Sequence, residues 1–228
     1  MEFNLKNLIR GQAEKKIHGY YLIGIFLYFI VFIGVSILLF SGGTWGGATY
    51  GSFNPWYICI SNVGDHLLNP RGWIFFSIAT IGEGILLIPH VRYIYSHIHP
   101  EAPKSGVLFL LFLCVSVIGF AGIGIISEDT IFPVHYFFGG LVFGGFGVAA
   151  IYSFFFLLLQ IVRRKPWPTI KQFVILCAIV LAATAYLLYT IALSNTNIPH
   201  SISLAEWVML PTLMGWSVGL FLMMPDKK

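Results

Sequence analysis

Residues 133–162 read PVHYFFGGLVFGGFGVAAIYSFFFLLLQIV, thirty residues without one Asp, Glu, Lys or Arg. At 1.5 Å of rise per helical residue, about 20 residues cross a hydrocarbon core roughly 30 Å thick. The stretch therefore reads as a membrane-spanning helix. It is longer than the core requires and is expected to tilt or to project beyond the membrane. Working outward from it, five more apolar runs are bounded by charged or turn residues: Tyr20 to Phe40, Gly72 to Val91, Gly106 to Ile126, Phe173 to Leu193 and Ile202 to Met224. The expected fold is an all-α membrane protein, a bundle of six transmembrane helices. The composition agrees: 57% hydrophobic and 10% charged residues over 228 positions, with a mean hydropathy of +0.84, leave too little polar surface to cover a soluble globule.

Orientation follows from the basic residues, because Lys and Arg in short loops favour the cytoplasmic side. With six spans, Lys6, Arg10, Lys15, Lys16, Arg92, Lys104, Arg163, Arg164, Lys165, Lys171, Lys227 and Lys228 fall on one side, and Arg71 alone on the other. Both termini are thus expected in the cytoplasm, with residues 1–19 a basic cytoplasmic segment, 20–224 the transmembrane domain and 225–228 a cytoplasmic tail. The cell membrane is the expected location. Trp45, Trp56, Trp73 and Trp207 then sit near the outer boundary, where indoles are favoured. The formal charge of +4 does not indicate nucleic-acid binding, since the cations flank spans rather than cluster on one folded face. The first apolar run is too long for a signal peptide and ends in FSGGTWGG, so it reads as a retained span. Of three cysteines, Cys114 and Cys177 lie inside apolar runs and only Cys59 near an outer segment, which argues against a structural disulfide.

This topology sorts the acidic and histidine residues by depth. Asp65, His66, Glu128, Asp129, His135, His200 and Glu206 fall at the outer side, where helix packing can gather them into a polar pocket. Wet loops carry polar residues in any case. His135 and Glu206, however, lie inside expected helices, where ionisable groups tend to face the bundle interior and carry function. No H-x-x-x-H, H-E-x-x-H or C-x-x-C spacing suggests a metal, and no cofactor fingerprint is present. Glu83 stands eleven residues into the second span, on one helical face with Phe76, Thr80, Leu87 and His90. It must be protonated or paired there, either in a structural hydrogen bond to a neighbouring helix or in a proton path or binding groove with His90. His18, His97 and His99 read as solvated cytoplasmic flanks. G-x-x-x-G spacing at Gly140/Gly144 and Gly215/Gly219 reads as helix packing, within the bundle or between copies in a homo-oligomer.

Three segments carry a family resemblance: ISNVGDHLLNPRGW before the second span, GIGIISEDTIFPVHYFFGGLVFG across the third and fourth, and AEWVMLPTLMGWSVGLF in the sixth. Together they resemble the Frag1/DRAM/Sfk1 superfamily and the related DUF998 membrane proteins. The matching positions are Ser61, Gly64 and Pro70, then His135 with Gly139 and Gly140, then Glu206 and Trp207; Asp65 and His66 have no firm match. The resemblance implies six spans and a role in handling membrane lipid.

Three functions compete at this point. The first is acyl transfer or hydrolysis at the outer leaflet, with Ser61 as nucleophile, His135 as general base and Asp65 or Glu206 orienting it. His66, Glu128, Asp129 and His200 would add binding contacts. The second is a non-enzymatic lipid-binding or scaffold protein, suggested by the lack of a nucleophile elbow. The third is a small proton-coupled transporter using Glu83 and His90. Membrane lipids are the expected partner in the first two.

Overall fold

A backbone in lipid has no water to bond, so each apolar run must satisfy its own N–H and C=O groups as a helix. The computed structural model describes residues 4–45, 48–165, 167–194 and 201–226. It contains a short helix α1 (Leu5–Ile9) and six long ones: α2 (Lys15–Leu38), α3 (Trp73–Ile98), α4 (Pro103–Ile125), α5 (Phe132–Val162), α6 (Ile170–Ser194) and α7 (Ser201–Met223). Five stretches, α2 to α5 and Ala205–Met223 of α7, are long and apolar enough to cross a membrane; α6 is a further apolar helix. The protein is an all-α membrane bundle. Its outward surface carries bare apolar side chains such as Leu27, Val31, Ile118, Ile151 and Phe155, each more than half exposed. Only lipid solvates such a surface well.

The helices start and stop where the sequence permits. Pro103 opens α4, and Pro133 lies in the first turn of α5, positions where the missing N–H has no helical partner to lose. Two helices run past their expected ends. α2 begins at Lys15, five residues earlier than the apolar run, and α3 continues through Arg92 to Ile98. The α3 extension packs against α1 and the turn that follows it: Arg92 donates from a guanidinium nitrogen to the Ile9 carbonyl at 3.1 Å, and the Ser96 hydroxyl donates to the Gly11 carbonyl at 3.0 Å. Gly11 adopts a φ of +68°, and a Cβ there would collide with the Arg92 backbone. The turn therefore requires glycine.

Consecutive helices pack in order from α2 to α5, while α6 and α7 pack chiefly on each other and touch α5 and α2 only lightly. Trp216 of α7 bridges to α5, its indole N–H donating to the Ser153 hydroxyl at 3.0 Å. At the basic end Lys165 pairs with Glu101 at 3.0 Å, and Lys15 donates to the carbonyls of Leu222, at 3.1 Å, and Met224. These contacts bring together helix ends whose loops carry most of the cations.

Residues 41–45 and 48–72 form a folded cap over the opposite end. An antiparallel hairpin pairs β1 (Gly43–Trp45) with β2 (Ala48–Tyr50), and a 3-10 turn spans Ser61–Gly64. Asn69, fully buried, anchors the cap. Its amide donates to the carbonyls of Ser36 (2.9 Å) and Val63 (2.8 Å), and its oxygen accepts from the Gly72 N–H at 3.0 Å. One side chain thereby ties the end of α2, the 3-10 turn and the start of α3.

Candidate functional site at the capped end

The 3-10 turn holds Ser61 and Asn62 against α7 and the α4–α5 loop. Ser61 donates from both its N–H and its hydroxyl to Oε2 of Glu206, each at 3.3 Å. Next to it, the Asn62 amide donates to Oε2 of Glu128 at 3.1 Å and to Oδ2 of Asp65 at 3.3 Å, while its oxygen accepts the Cys59 N–H at 3.1 Å. Trp207 donates its indole N–H to the Ile58 carbonyl at 2.7 Å. α7 is thus tied to the cap on both sides of Glu206.

Asp65, Glu128 and Glu206 have no Lys, Arg or His ion-pair partner among the described residues. Burial, reinforced by the neighbouring Glu128 and Asp129, pushes Asp65 up to about 8, against a partial offset from its Asn62 hydrogen bond. Burial also raises Glu128, with a hydrogen bond from Ser61 opposing and Asp129 adding to the rise. One carboxyl oxygen of Asp65 has no hydrogen-bond partner among the described residues. Asp65, raised to about 8, therefore holds its proton near neutral pH and can donate a hydrogen bond as well as accept one.

Asp129 behaves in the opposite way. Burial pushes it up, but hydrogen bonds from the Ser127 hydroxyl, the Leu67 N–H and His66 outweigh that and hold it below the usual carboxylate range. The Leu67 N–H donates to Oδ2 at 2.8 Å, and His66 Nδ1 lies 3.3 Å from Oδ1 and 2.8 Å from the Ser127 hydroxyl. His66 and Asp129 therefore lock the 65–67 segment to the α4–α5 loop.

His135, buried in the first turn of α5, places Nδ1 2.6 Å from the Ile126 carbonyl. A carbonyl only accepts, so Nδ1 carries the proton and Nε2 keeps a lone pair. The orienting partner is a backbone carbonyl rather than Asp65 or Glu206. His135 lines a cavity of about 230 Å³ with Ser61, Glu206, Phe76, Tyr136 and Gly140. A Cβ built on Gly139 or Gly140 would meet nothing within 4 Å, so these glycines give the cavity its width. Ser61, His135 and Glu206 are thus brought to one cavity, while Asp65 and Glu128 lie behind its wall, bridged by Asn62. His200 lies outside the described residues.

Glu83 and His90 are distant from this pocket, along α3, and both are buried. His18, expected in a solvated flank, is fully buried, and His97 is buried as well. The cause is the early start of α2 and the late end of α3, which carry both rings into the packed interface. The residues that sequence reasoning missed are the neutral ones: Asn62, Asn69 and Ser36. The signal available was the pair of asparagines inside ISNVGDHLLNPRGW, neutral amides set beside the Asp65 and His66 that drew the reading.

Among the described residues no group of three His, Cys, Asp or Glu side chains is placed to hold a metal ion. In comparisons with known proteins, a family model described as a protein of unknown function, DUF998, matches residues 32–223. No curated protein and no solved structure matches.

Proposed function

Because this chain belongs to the DUF998 family of membrane proteins, whose function is unknown, its role rests on its own site, and we propose that the capped-end cavity binds the headgroup of a membrane lipid. The observation that carries this reading is the composition of the cavity and its setting. Ser61, His135 and Glu206 line the cavity together with apolar and aromatic groups of α3, α4 and α5, and acyl chains would lie along the exposed apolar faces of the helices beside it. Pockets with a few convergent polar groups in an apolar wall suit ligands of that kind. Glu206, a cavity-lining carboxyl without a protein cation among the described residues, ionises most readily against a cation on the ligand, which favours an amine-bearing headgroup over an anionic one. The likeness to the Frag1/DRAM/Sfk1 superfamily supports the same direction.

A second reading, acyl transfer or hydrolysis, draws on the free lone pair of His135 Nε2 beside a cavity that also holds the Ser61 hydroxyl. In that reading Ser61 attacks the ester carbonyl as its proton passes to Nε2, and the imidazolium returns that proton to the leaving alcohol.

Native mass spectrometry of the purified protein tests the binding proposal. Gly140→Leu fills the cavity from a position where a side chain has room. The wild type is expected to retain ethanolamine phospholipid, and the variant at least tenfold less. Equal retention by the two would overturn the proposal. Release of free fatty acid by the wild type, lost in Ser61→Ala, would favour the second reading.

A further inference from the structure

Toward the basic end of the bundle, a second set of polar groups forms a chain. His18 of α2 places Nε2 3.0 Å from Nδ1 of His90 on α3, and Nε2 of His90 lies 2.7 Å from the hydroxyl of Ser217 on α7. All three are buried. His18 also stacks on Tyr93 with ring centroids 3.9 Å apart. Ser217 in turn lines a small cavity with Glu83. Glu83 is 3% exposed, and its Oε2 has no hydrogen-bond partner among the described residues. The cavity offers about 20 Å³ to the centre of a water-sized sphere, room for one water.

We infer that Glu83 is a proton-binding site in the middle of the membrane, loaded from the basic face of the protein through His18, His90 and Ser217. A structural hydrogen bond would need only one of these contacts. Here both nitrogens of His90 are engaged in series, and the series ends at a cavity holding an unpartnered carboxyl oxygen. Imidazoles joined in this way pass protons, because each ring accepts at one nitrogen and releases from the other. A proton arriving at His18 Nδ1 releases the one on Nε2 to His90 Nδ1. The proton on His90 Nε2 moves to Ser217, and the hydroxyl proton of Ser217 crosses one water to the Glu83 carboxylate. One proton enters and one is bound, and each link ends with its hydrogen-bond direction reversed.

The surroundings of Glu83 favour a proton over a metal cation. α4 and α5 face the cavity with Phe120 and Phe146, and α7 with Leu210, Leu213, Met214 and Ser217. α2 contributes Phe26 and Phe29 to the lining, and its Tyr21 and Tyr28 lie within electrostatic range of Glu83. Those two hydroxyls donate to the carbonyls of Leu86, at 2.6 Å, and Ile78. Among the described residues no cation lines the cavity. A single carboxyl with one hydroxyl and one water offers too few oxygens for a metal ion. Toward the capped end, α7 presents Leu210 and Leu213 between this cavity and Glu206, an apolar barrier. The relay therefore runs toward one end only, where Lys15 holds the end of α7.

Infrared spectroscopy of the reconstituted full-length protein tests this. The proposal expects a protonated carboxylic acid band at neutral pH that disappears in Glu83→Gln, and that shifts in D2O at least tenfold more slowly in Ser217→Ala or His90→Phe than in the wild type. Ser217→Ala removes one hydroxyl and keeps the helix packing, so a folding defect in His90→Phe leaves the test intact. Slower exchange in either folded variant supports the relay. The absence of a Glu83 band, or wild-type exchange rates in both variants, would overturn it.

Discussion

Asn62 is the residue on which the capped-end chemistry turns. Its amide serves two acidic side chains at once, and Asp65 keeps a buried oxygen without a partner among the described residues. An aspartate raised to about 8 in the folded protein binds a proton that the unfolded chain, ionising in the ordinary carboxylate range, has already released. Stability is therefore full at low pH and falls as pH rises toward about 8. The loss is at least about 1 kcal/mol, or roughly 2–4 °C in a thermal midpoint for a chain of this size. Asp65→Asn should remove that slope and melt above the wild type at alkaline pH; an unchanged slope in detergent melting curves would show that Asp65 is not its source. Hydropathy and charge made the acidic residues legible as an outer group, because both report depth in the membrane. They do not report which way a side chain points. The partners of Ser61 and Asn62 lie 145 and 66 residues away, and no local pattern in the sequence encodes such pairs. His18 was misread for a related reason: its basic neighbours resemble a wet flank, yet the helix begins ahead of it.

At the scale of elements, the run 133–162 and its five companions all became helices, with α2 starting five residues early and α3 running seven residues past its expected end. A lipid-solvated backbone leaves little alternative. The glycines were harder to assign. The G-x-x-x-G pair Gly140/Gly144 faces open space within the single chain, as does Gly215, whereas a Cβ at Gly219 would come 3.1 Å from Leu176. The tight contact between α4 and α5 is made instead by Gly119 and Gly145. A Cβ at Gly119 would lie 2.7 Å from the Val142 nitrogen, and one at Gly145 2.7 Å from the Phe112 carbonyl and 3.0 Å from the Ser116 nitrogen. Adjacent glycines on α5 thus have opposite roles, and a spacing motif cannot tell them apart. Gly145→Ala should cost about 1–3 kcal/mol through forced separation of the two helices. Gly144→Ala, one residue away, should be neutral or stabilise by up to about 1 kcal/mol through helix propensity. Thermal melting of the two variants in one detergent separates them, and equal losses would refute the assigned contact. The hairpin of residues 43–50 was not legible at all, since its strands are three residues each and carry no alternating apolar pattern.

At the scale of the whole molecule, six long helices and their cap place two polar systems at different depths. The pocket at the capped end is bounded by Ser61, His135 and Glu206, and the buried chain toward the basic end runs from His18 to Ser217. α7 takes part in both, with Glu206 near its start and Ser217 near its end. The sidedness of Lys and Arg anticipated the gathering of the basic helix ends, which the Lys165–Glu101 and Lys15–α7 contacts bring together. The central claim is that a lipid headgroup binds in the capped-end pocket, beside α5 and α7. Photocrosslinking with an ethanolamine phospholipid carrying a diazirine on its acyl chain, followed by peptide mapping, tests it most directly. The account predicts that label concentrates on the α5 segment from Tyr136 to Phe143 and on the facing part of α7, and that Gly140→Leu abolishes this labelling. Label spread evenly over lipid-facing residues such as Leu27, Val31 and Ile118, and unchanged in the variant, would contradict it.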